Sequence, residues 1–337
     1  MGHGTTRWAG RKGRRMPVAR GWTVFGRVSA LVALAMLVAV PMAGSGPAGA
    51  SGSPHSVQSG YRLVSGDGGI FAFSAPYAGS AAANPTACPP NVNDRFMPFG
   101  TCWSMATMPS DQGYWILNAY TGAITPYGDA ASYGDRTASN IGGADLWPTS
   151  VALAPTADGK GYWILNVGLS GFGTVQAFGD ATSFGDQSTL ALPGGLNGVP
   201  VGLVATPDAL GYWIVDSDGG VFAFGDATFA GSMGDKSLNA PVVGMARTTD
   251  GGGYWLAAAD GGVFAFGDAV FGGSMGGTDL NAPVIGIAAE PFGGGYWLAA
   301  TDGGVFALGG APFLGSMAGQ MLNQPIYGIS TAAGGPG

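Results

Sequence analysis

A short motif of tyrosine, tryptophan and an aliphatic residue recurs along the chain, and it limits the fold more than any other feature. The tyrosines of the five full copies are Tyr114, Tyr162, Tyr212, Tyr254 and Tyr296. A sixth copy begins at Tyr61, where Arg62 replaces the tryptophan, and successive tyrosines lie 53, 48, 50, 42 and 42 residues apart. A repeat of this length indicates a chain built from one small structural unit that is used several times.

Each unit contains four short stretches that favour β-strands. The first precedes the tyrosine, as at residues 241–246, and the second begins at the tyrosine and often ends in an Asp-Gly-Gly sequence that favours a hairpin turn. The third is rich in valine and phenylalanine, as at residues 221–224. The fourth follows a Gly-Asp-Ala turn and carries one aromatic residue, as at Phe229, Phe271 and Phe313. Four strands in a unit of this size predict one blade of a β-propeller.

Composition supports a β-protein rich in turns. The chain has 64 glycines among 337 residues, and a glycine inside a helix costs about 1 kcal/mol, so a helical fold is disfavoured. Hydrophobic residues make up 46% of the chain, which argues against disorder because there is ample apolar surface to bury.

The two ends of the repeat region predict how it closes. The unit at Tyr61 lacks a strand before the tyrosine, whereas residues 325–330 form such a strand with no further unit after it. We expect this C-terminal strand to complete the first blade, because a linear array would leave both ends unpaired. The predicted fold class is all-β: a six-bladed β-propeller over residues 60–331, closed by a C-terminal strand. A short linker, 51–59, precedes it and a flexible tail, 332–337, follows.

The first strands alternate small and large residues, as expected for strands that crowd toward an axis. The small residues are Ser104, Ala152, Gly202, Gly244, Gly286 and Gly328. The large residues are Met105, Leu153, Leu203, Met245, Ile287 and Ile329. These strands offer little polar chemistry, and Arg247 is the charged residue near them.

Residues 1–50 have the features of a secretory signal peptide. They hold seven of the 13 basic residues and no acid, followed by an apolar run at 28–40 and the small residues Ala48, Gly49 and Ala50. An uncleaved anchor is the alternative, although the run is shorter than the roughly 20 residues of a spanning helix. We expect a secreted or cell-surface protein with no membrane span after cleavage. The remaining chain carries a net charge of −14, which excludes nucleic-acid binding.

The only cysteines are Cys88 and Cys102, and in an exported protein such a pair is expected to form a disulfide. A metal site or a reactive thiol is the alternative, but the only histidines are His3 and His55. We therefore predict no metal and no cofactor. Since no histidine lies in the repeats, Ser-His-Asp and Cys-His catalytic arrangements are excluded there.

The repeated acids and aromatic residues have ordinary structural explanations. Aspartate before glycine in a tight turn bonds nearby amides, so we expect turn roles rather than calcium or sugar binding for two sets of aspartates. The first set is Asp67, Asp218, Asp260 and Asp302, and the second is Asp129, Asp180, Asp226 and Asp268. The tyrosines and tryptophans are expected to fill the space between neighbouring blades, with sugar stacking as the alternative.

The sequence DGGVFAFGDAVFGGSMGGTDLNAPVIGIAAEPFGGGYWL resembles the tandem repeat of many secreted actinobacterial proteins. The resemblance covers residues 60–331 and is tightest from 211 to 316. It implies a β-propeller, but this repeat carries no agreed catalytic or ligand-binding residues, so none is transferred. Residues 65–71 are also similar to the Asp-box of sialidase-type propellers, which marks a turn and not an active site.

The departures from the repeat are the best indication of function. The first three units are longer than 42 residues, and the extra residues fall mainly between the fourth strand and the next first strand. Such loops on a rigid scaffold often bind ligands, although neutral variation in surface loops is the alternative. The candidate ligand-binding residues are Asn91, Asn93, Asp94, Arg95, Arg136, Asn140, Asp145 and Trp147.

We therefore expect a monomeric binding or scaffold module rather than an enzyme. Its partner would be a cell-wall polysaccharide or an extracellular protein. The alternative is a carbohydrate-active hydrolase or lyase that uses aspartates of the inserted loops, such as Asp94 or Asp145.

Overall fold

The computed structural model describes residues 59–82, 102–136, 149–168, 170–192 and 195–333. In these ranges the backbone forms β-strands and one 3₁₀ turn, Gln187–Thr189. The described part of the chain contains no helix that could span a membrane. The strands are β1 (Ser59–Ser65), β2 (Ile70–Phe73), β3 (Trp103–Thr107), β4 (Gly113–Asn118), β5 (Ile124–Gly128), β6 (Thr149–Pro155), β7 (Gly161–Val167), β8 (Gly173–Gly179), β9 (Pro200–Ala205), β10 (Gly211–Asp216), β11 (Val221–Gly225), β12 (Val242–Arg247), β13 (Gly253–Ala258), β14 (Val263–Gly267), β15 (Val284–Ala289), β16 (Gly295–Ala300), β17 (Val305–Gly309) and β18 (Ile326–Ala333).

The fold is all-β and consists of six three-stranded antiparallel sheets. Sheet 1 has the order β18-β1-β2, and sheets 2 to 6 each take three consecutive strands, beginning at β3, β6, β9, β12 and β15. In each sheet the repeated tyrosine lies on the middle strand, whose residues are almost all buried. The repeat in the sequence therefore corresponds to one sheet.

Sheet 1 joins the two ends of the repeat region. Strand β18 pairs with β1 in a register that places Ser59 opposite Ala333 and Arg62 opposite Ser330. The paired region thus includes the last residue of the predicted linker and the first two residues of the predicted tail.

The first strands of neighbouring sheets contact each other in the order β3, β6, β9, β12, β15, β18 and back to β3. A large residue of one strand packs beside a small residue of the strand before it. Ile287 lies beside Gly244 and Ile329 beside Gly286, since a Cβ on each glycine would lie 3.8 Å and 3.3 Å from the isoleucine Cγ2. This packing confirms the predicted alternation of small and large residues.

The prediction of a fourth strand in each unit is wrong. The residues that follow each third strand are irregular, and we call these six stretches the edge segments: 74–82, 129–136, 180–186, 226–234, 268–276 and 310–318. Their backbone groups bond to side chains of the repeated tyrosines and tryptophans instead of joining a strand ladder. In sheet 4, for example, the carbonyl of Thr228 accepts from Trp213, and the carbonyl of Gly231 accepts from Tyr254.

The tyrosines and tryptophans join neighbouring sheets, which confirms their predicted packing role. The Tyr254 hydroxyl reaches the edge segment of the preceding sheet, where it accepts from the amide of Ala230 at 3.1 Å. Its ring centre lies 5.8 Å from that of Trp213. Both rings are almost fully buried. Tyr61 makes the corresponding hydrogen bond to the carbonyl of Gly315 in sheet 6.

The first set of aspartates has the predicted turn role. The carboxylate of Asp218 accepts from the amide of Gly220 at 2.8 Å, and Asp67, Asp260 and Asp302 each bond the amide two residues later in the same way. These carboxylates hold the turns between the middle and third strands.

Candidate functional site

The residues predicted to bind a ligand are described only in part. Arg136 ends the edge segment of sheet 2, and its Nη1 lies 3.4 Å from Oδ1 of the buried Asn166 in sheet 3. Cys88 lies outside the described residues, so its disulfide with the buried Cys102 stays a prediction. Seven candidates also lie outside the described residues and stay predictions: Asn91, Asn93, Asp94, Arg95, Asn140, Asp145 and Trp147.

The two ends of the sheets carry different connections. The amide of Arg136, just before one predicted insertion, bonds the carbonyl of Gly122 in the turn between the middle and third strands. We call this end the insertion face. Antiparallel strands reverse direction at each turn, so the turns between first and middle strands lie at the opposite end, which we call the turn face.

A cavity of about 490 Å³ lies between the first strands of all six sheets. We call it the central cavity. Its lining consists of the last residues of β3, β6, β9, β12 and β15, the residues that follow these five strands, and residues 329–331 of β18. The cavity therefore lies toward the turn face. Six large apolar residues belong to the lining: Met105, Leu153, Leu203, Met245, Ile287 and Ile329. Sites for small molecules typically measure about 300–1,000 Å³ and are mainly apolar with a few polar groups.

Arg247 is the only cationic residue among the described residues that line the central cavity. It is the last residue of β12 and half-buried, and its Nη1 donates to the carbonyls of Thr248 at 2.9 Å and Thr249 at 3.0 Å. Burial lowers the pKa of Arg247, and the carboxylates of Asp208 and Asp250 act in the opposite direction. Within the described ranges Arg247 forms no ion pair closer than 4.0 Å.

Glu290 also lines the cavity, but its carboxylate serves its own turn. Its Oε2 accepts from the amides of Phe292 and Gly294, both at 2.9 Å. In the turn of sheet 5 the hydroxyl of Thr248 has the equivalent position and accepts from the amide of Gly253. The negative charge of Glu290 is therefore held by backbone amides.

A buried polar network lies behind the opposite wall of the cavity. Arg62 is completely buried, and its Nη2 lies 2.9 Å from the carboxylate of Asp111. Its Nη1 donates to the hydroxyl of Thr107 at 3.2 Å, and that hydroxyl lies 2.8 Å from the hydroxyl of Ser330. Thr107 and Ser330 both line the cavity. The sequence shows the replacement of tryptophan by Arg62 but not its partner Asp111.

Four aromatic side chains of the edge segments are exposed at one repeated position. Tyr77, Phe229, Phe271 and Phe313 are 60%, 57%, 57% and 62% exposed. They belong to sheets 1, 4, 5 and 6, which are neighbours through their first strands. We call these four residues the aromatic row. Sequence reasoning noted an aromatic residue in this stretch but not that it faces solvent.

The backbone on either side of each of these rings is fixed by side chains of the middle strands. Phe229 lies between Thr228, whose carbonyl accepts from Trp213, and Ala230, whose amide donates to Tyr254. Sheets 2 and 3 have serine at this position, and their aromatic residues come one residue later. There Tyr133 packs against Tyr162 and Phe184 packs against Tyr212.

Asp216 is a buried acid near the insertion face. It ends β10, and its Oδ1 accepts from Nε2 of Gln187 at 2.8 Å. Burial raises the pKa of Asp216 to about 7, the hydrogen bond from Gln187 lowers it, and the nearby Asp218 raises it. Among the described residues no group of three or more histidine, cysteine or acidic side chains is placed to hold a metal ion.

These features define a class: an all-β repeat protein in which tyrosine and tryptophan side chains join six small sheets. No protein-family model matches the chain, and a search of curated proteins finds no match either.

Proposed function

We propose that the six sheets are the blades of a closed six-bladed β-propeller in an exported protein. The antiparallel pairing of β18 with β1 supports closure. Two side-chain contacts between sheets 6 and 1 support it as well: Tyr61 bonds Gly315, and the ring centres of Tyr61 and Trp297 lie 5.1 Å apart. The same pairing of a tryptophan with the tyrosine of the next sheet joins sheets 2 and 3, 3 and 4, 4 and 5, and 5 and 6.

We also propose that the protein is a binding module for a polysaccharide, which it contacts through the aromatic row. The carrying observation is that these four rings are more than half exposed at one repeated position, while their backbone is fixed on both sides. Single exposed aromatic residues are common on protein surfaces, but these four recur at the same position of four neighbouring sheets. A repeated series of flat apolar faces suits a polymer of repeated sugar rings.

Charge favours a neutral polysaccharide over an acidic one. Residues 51–337 carry 20 acidic and six basic residues, so a polyanion is repelled. Stacking on an aromatic face does not need a charge on the sugar. The partner class that fits both observations is a neutral glucan, mannan or chitin-like polymer.

Affinity electrophoresis and sedimentation with such polymers test this proposal. We expect binding to at least one neutral polysaccharide and none to alginate or hyaluronan. If a sugar ring gains about as much from stacking as an aromatic pair does, roughly 0.5–1.5 kcal/mol, each Phe→Ala change in the row weakens binding about two- to tenfold. The quadruple variant of the aromatic row should lose binding.

Phe292→Ala is the matched control, because Phe292 is 58% exposed but lies in the turn between β15 and β16. Equal binding by the quadruple variant and the wild type would contradict the proposal. Product analysis of the same incubations tests the alternative, since release of short sugars would indicate a hydrolase or lyase.

A further inference from the structure

We propose that the central cavity binds a small monocarboxylate with an apolar body, whose carboxylate pairs with Arg247. This site is separate from the aromatic row and does not depend on polysaccharide binding.

The hydrogen bonds of Arg247 leave one edge of its guanidinium available. Nη1 donates to two carbonyls of its own turn, which fixes the orientation of the group. No described residue accepts a hydrogen bond from Nε or Nη2 of Arg247. These two nitrogens lie on one edge of the planar group and can bind both oxygens of a carboxylate.

The charged neighbours do not neutralise Arg247 by direct pairing. Glu290 lines the same cavity, but its carboxylate is bound by the amides of Phe292 and Gly294. Asp208 and Asp250 act on Arg247 electrostatically without forming an ion pair with it. A half-buried guanidinium without such a partner is poorly solvated, and a ligand carboxylate would supply the missing charge-assisted hydrogen bonds.

The surroundings also limit the ligand to one negative charge and an apolar body. Asp208 and Asp250 repel any anion near Arg247, and they repel a dianion such as phosphate about twice as strongly as a monoanion. Beyond Arg247 the cavity wall is mainly apolar: it includes the half-buried Val204, Ala205 and Ala289. The inner edges of the buried Leu203, Met245 and Ile287 also belong to it. An aliphatic or aromatic body gains free energy by covering them.

Calorimetric titration with four probes tests the site. Octanoate carries both required parts, octanol has the same chain without the charge, acetate has the charge without the chain, and inorganic phosphate is a small anion with more charge. We expect saturable binding of octanoate and at least about tenfold weaker binding of the other three, because each lacks one feature of the class.

Two variants locate the binding. Arg247→Gln removes the charge, and Ala205→Phe narrows the cavity from a neighbouring lining position. Each should weaken octanoate binding about tenfold or more. Lys236→Gln makes the same charge change at an exposed residue outside the lining and should leave binding unchanged. A thermal unfolding curve for each variant checks that it is folded.

Three results would overturn the proposal. The first is the absence of saturable octanoate binding to the wild type. The second is equal affinity in the wild type and in a folded Arg247→Gln or Ala205→Phe protein. The third is octanol, acetate or phosphate binding as tightly as octanoate. Since quadruple substitution of the aromatic row should leave octanoate binding intact, this site and the polysaccharide surface can fail separately.

Discussion

The contact between sheets 1 and 2 differs from the five other contacts between neighbouring sheets. In those five, a tryptophan packs against the tyrosine of the next sheet, as Trp213 does against Tyr254. Between sheets 1 and 2, the guanidinium of Arg62 lies 5.0 Å from the ring centre of Tyr114. Its Nε donates to the carbonyl of Pro76, the kind of bond that each tryptophan makes to its own edge segment. The position therefore requires a flat group with an N–H donor, and arginine can supply both.

The difference lies in the charge. A tryptophan needs no counter-charge, but buried Arg62 requires one, and Asp111 provides it. Asp111 has φ 58° in the turn between β3 and β4, where the corresponding turns of sheets 3 and 5 have Gly159 and Gly251 with φ 71° and 77°. The arginine that replaces tryptophan in sheet 1 is thus accompanied by an aspartate, in place of a glycine, in the turn of sheet 2.

Breaking the ion pair should give the largest effect. Asp111→Gly removes the carboxylate but keeps a residue that adopts positive φ readily. Because Arg62 would remain buried without a counter-charge, we expect the free energy of unfolding to fall by about 3–5 kcal/mol in urea denaturation. Asp235→Ala, which removes one partner of an exposed ion pair with Lys236, is the control and should change stability little. If Asp111→Gly lowered the free energy of unfolding only slightly, buried Arg62 would not require Asp111 as its counter-charge.

Replacing Arg62 by tryptophan gives the contact between sheets 1 and 2 the residue that the five other contacts have. Arg62→Trp alone should destabilise the protein because Asp111 is then buried without its cation. Adding Asp111→Gly should recover most of that loss, with a coupling free energy of roughly 2–4 kcal/mol in a double-mutant cycle. Additive effects of the two changes would mean that the two residues are not coupled.

A second buried aspartate, Asp216, has an amide rather than a cation as its partner. Its folded pKa of about 7 is above the value near 3.9 of an unfolded aspartate, so the folded state binds the proton more tightly. The contribution of Asp216 to stability should therefore be largest below about pH 4 and should fall by about 2–3 kcal/mol between pH 5 and pH 8.

Asp216→Asn cannot titrate but can still accept from Gln187, so it should remove this part of the pH dependence in urea denaturation. An unchanged pH dependence in Asp216→Asn would assign the effect to other groups. The same measurement on Asp111→Asn gives the comparison with a buried aspartate whose partner is a cation, Arg62.

The smallest effect concerns the tyrosine hydroxyls. Tyr114 and Tyr254 each bond an amide and a glycine carbonyl of the preceding edge segment. Each Tyr→Phe change leaves these backbone groups without their partner, so we expect both to lower stability by about 1–2 kcal/mol in thermal unfolding. A much larger loss at Tyr114 would show that the hydroxyl also supports the contact with Arg62.

Much of the fold could be predicted from local sequence. The spacing of the tyrosines gave the number of units, and the Asp-Gly pairs gave the turns between middle and third strands. The fourth strand could not be judged in this way, because residues 228–231 have strand-like composition. Their backbone groups bond the side chains of Trp213 and Tyr254 instead of a neighbouring strand.

The candidate sites were less predictable. The sequence placed Arg247 near the first strands, but the cavity beside it depends on six strands from all parts of the chain. The inserted loops indicated the opposite end of the sheets as the binding region, and most of their candidate residues lie outside the described ranges. Phe184 is packed rather than exposed because it comes one residue later in its edge segment than the rings of the aromatic row do in theirs. Composition does not reveal such a shift.

The sequence by itself determined the repeated unit, its turns and the aromatic residues that join the sheets, because these depend on neighbours within one unit. Only the tertiary structure decided that Arg62 pairs with Asp111, that the rings of the aromatic row face solvent and that Arg247 lines a cavity. Each of these depends on residues of another sheet, and local sequence does not specify which residues meet across such a contact.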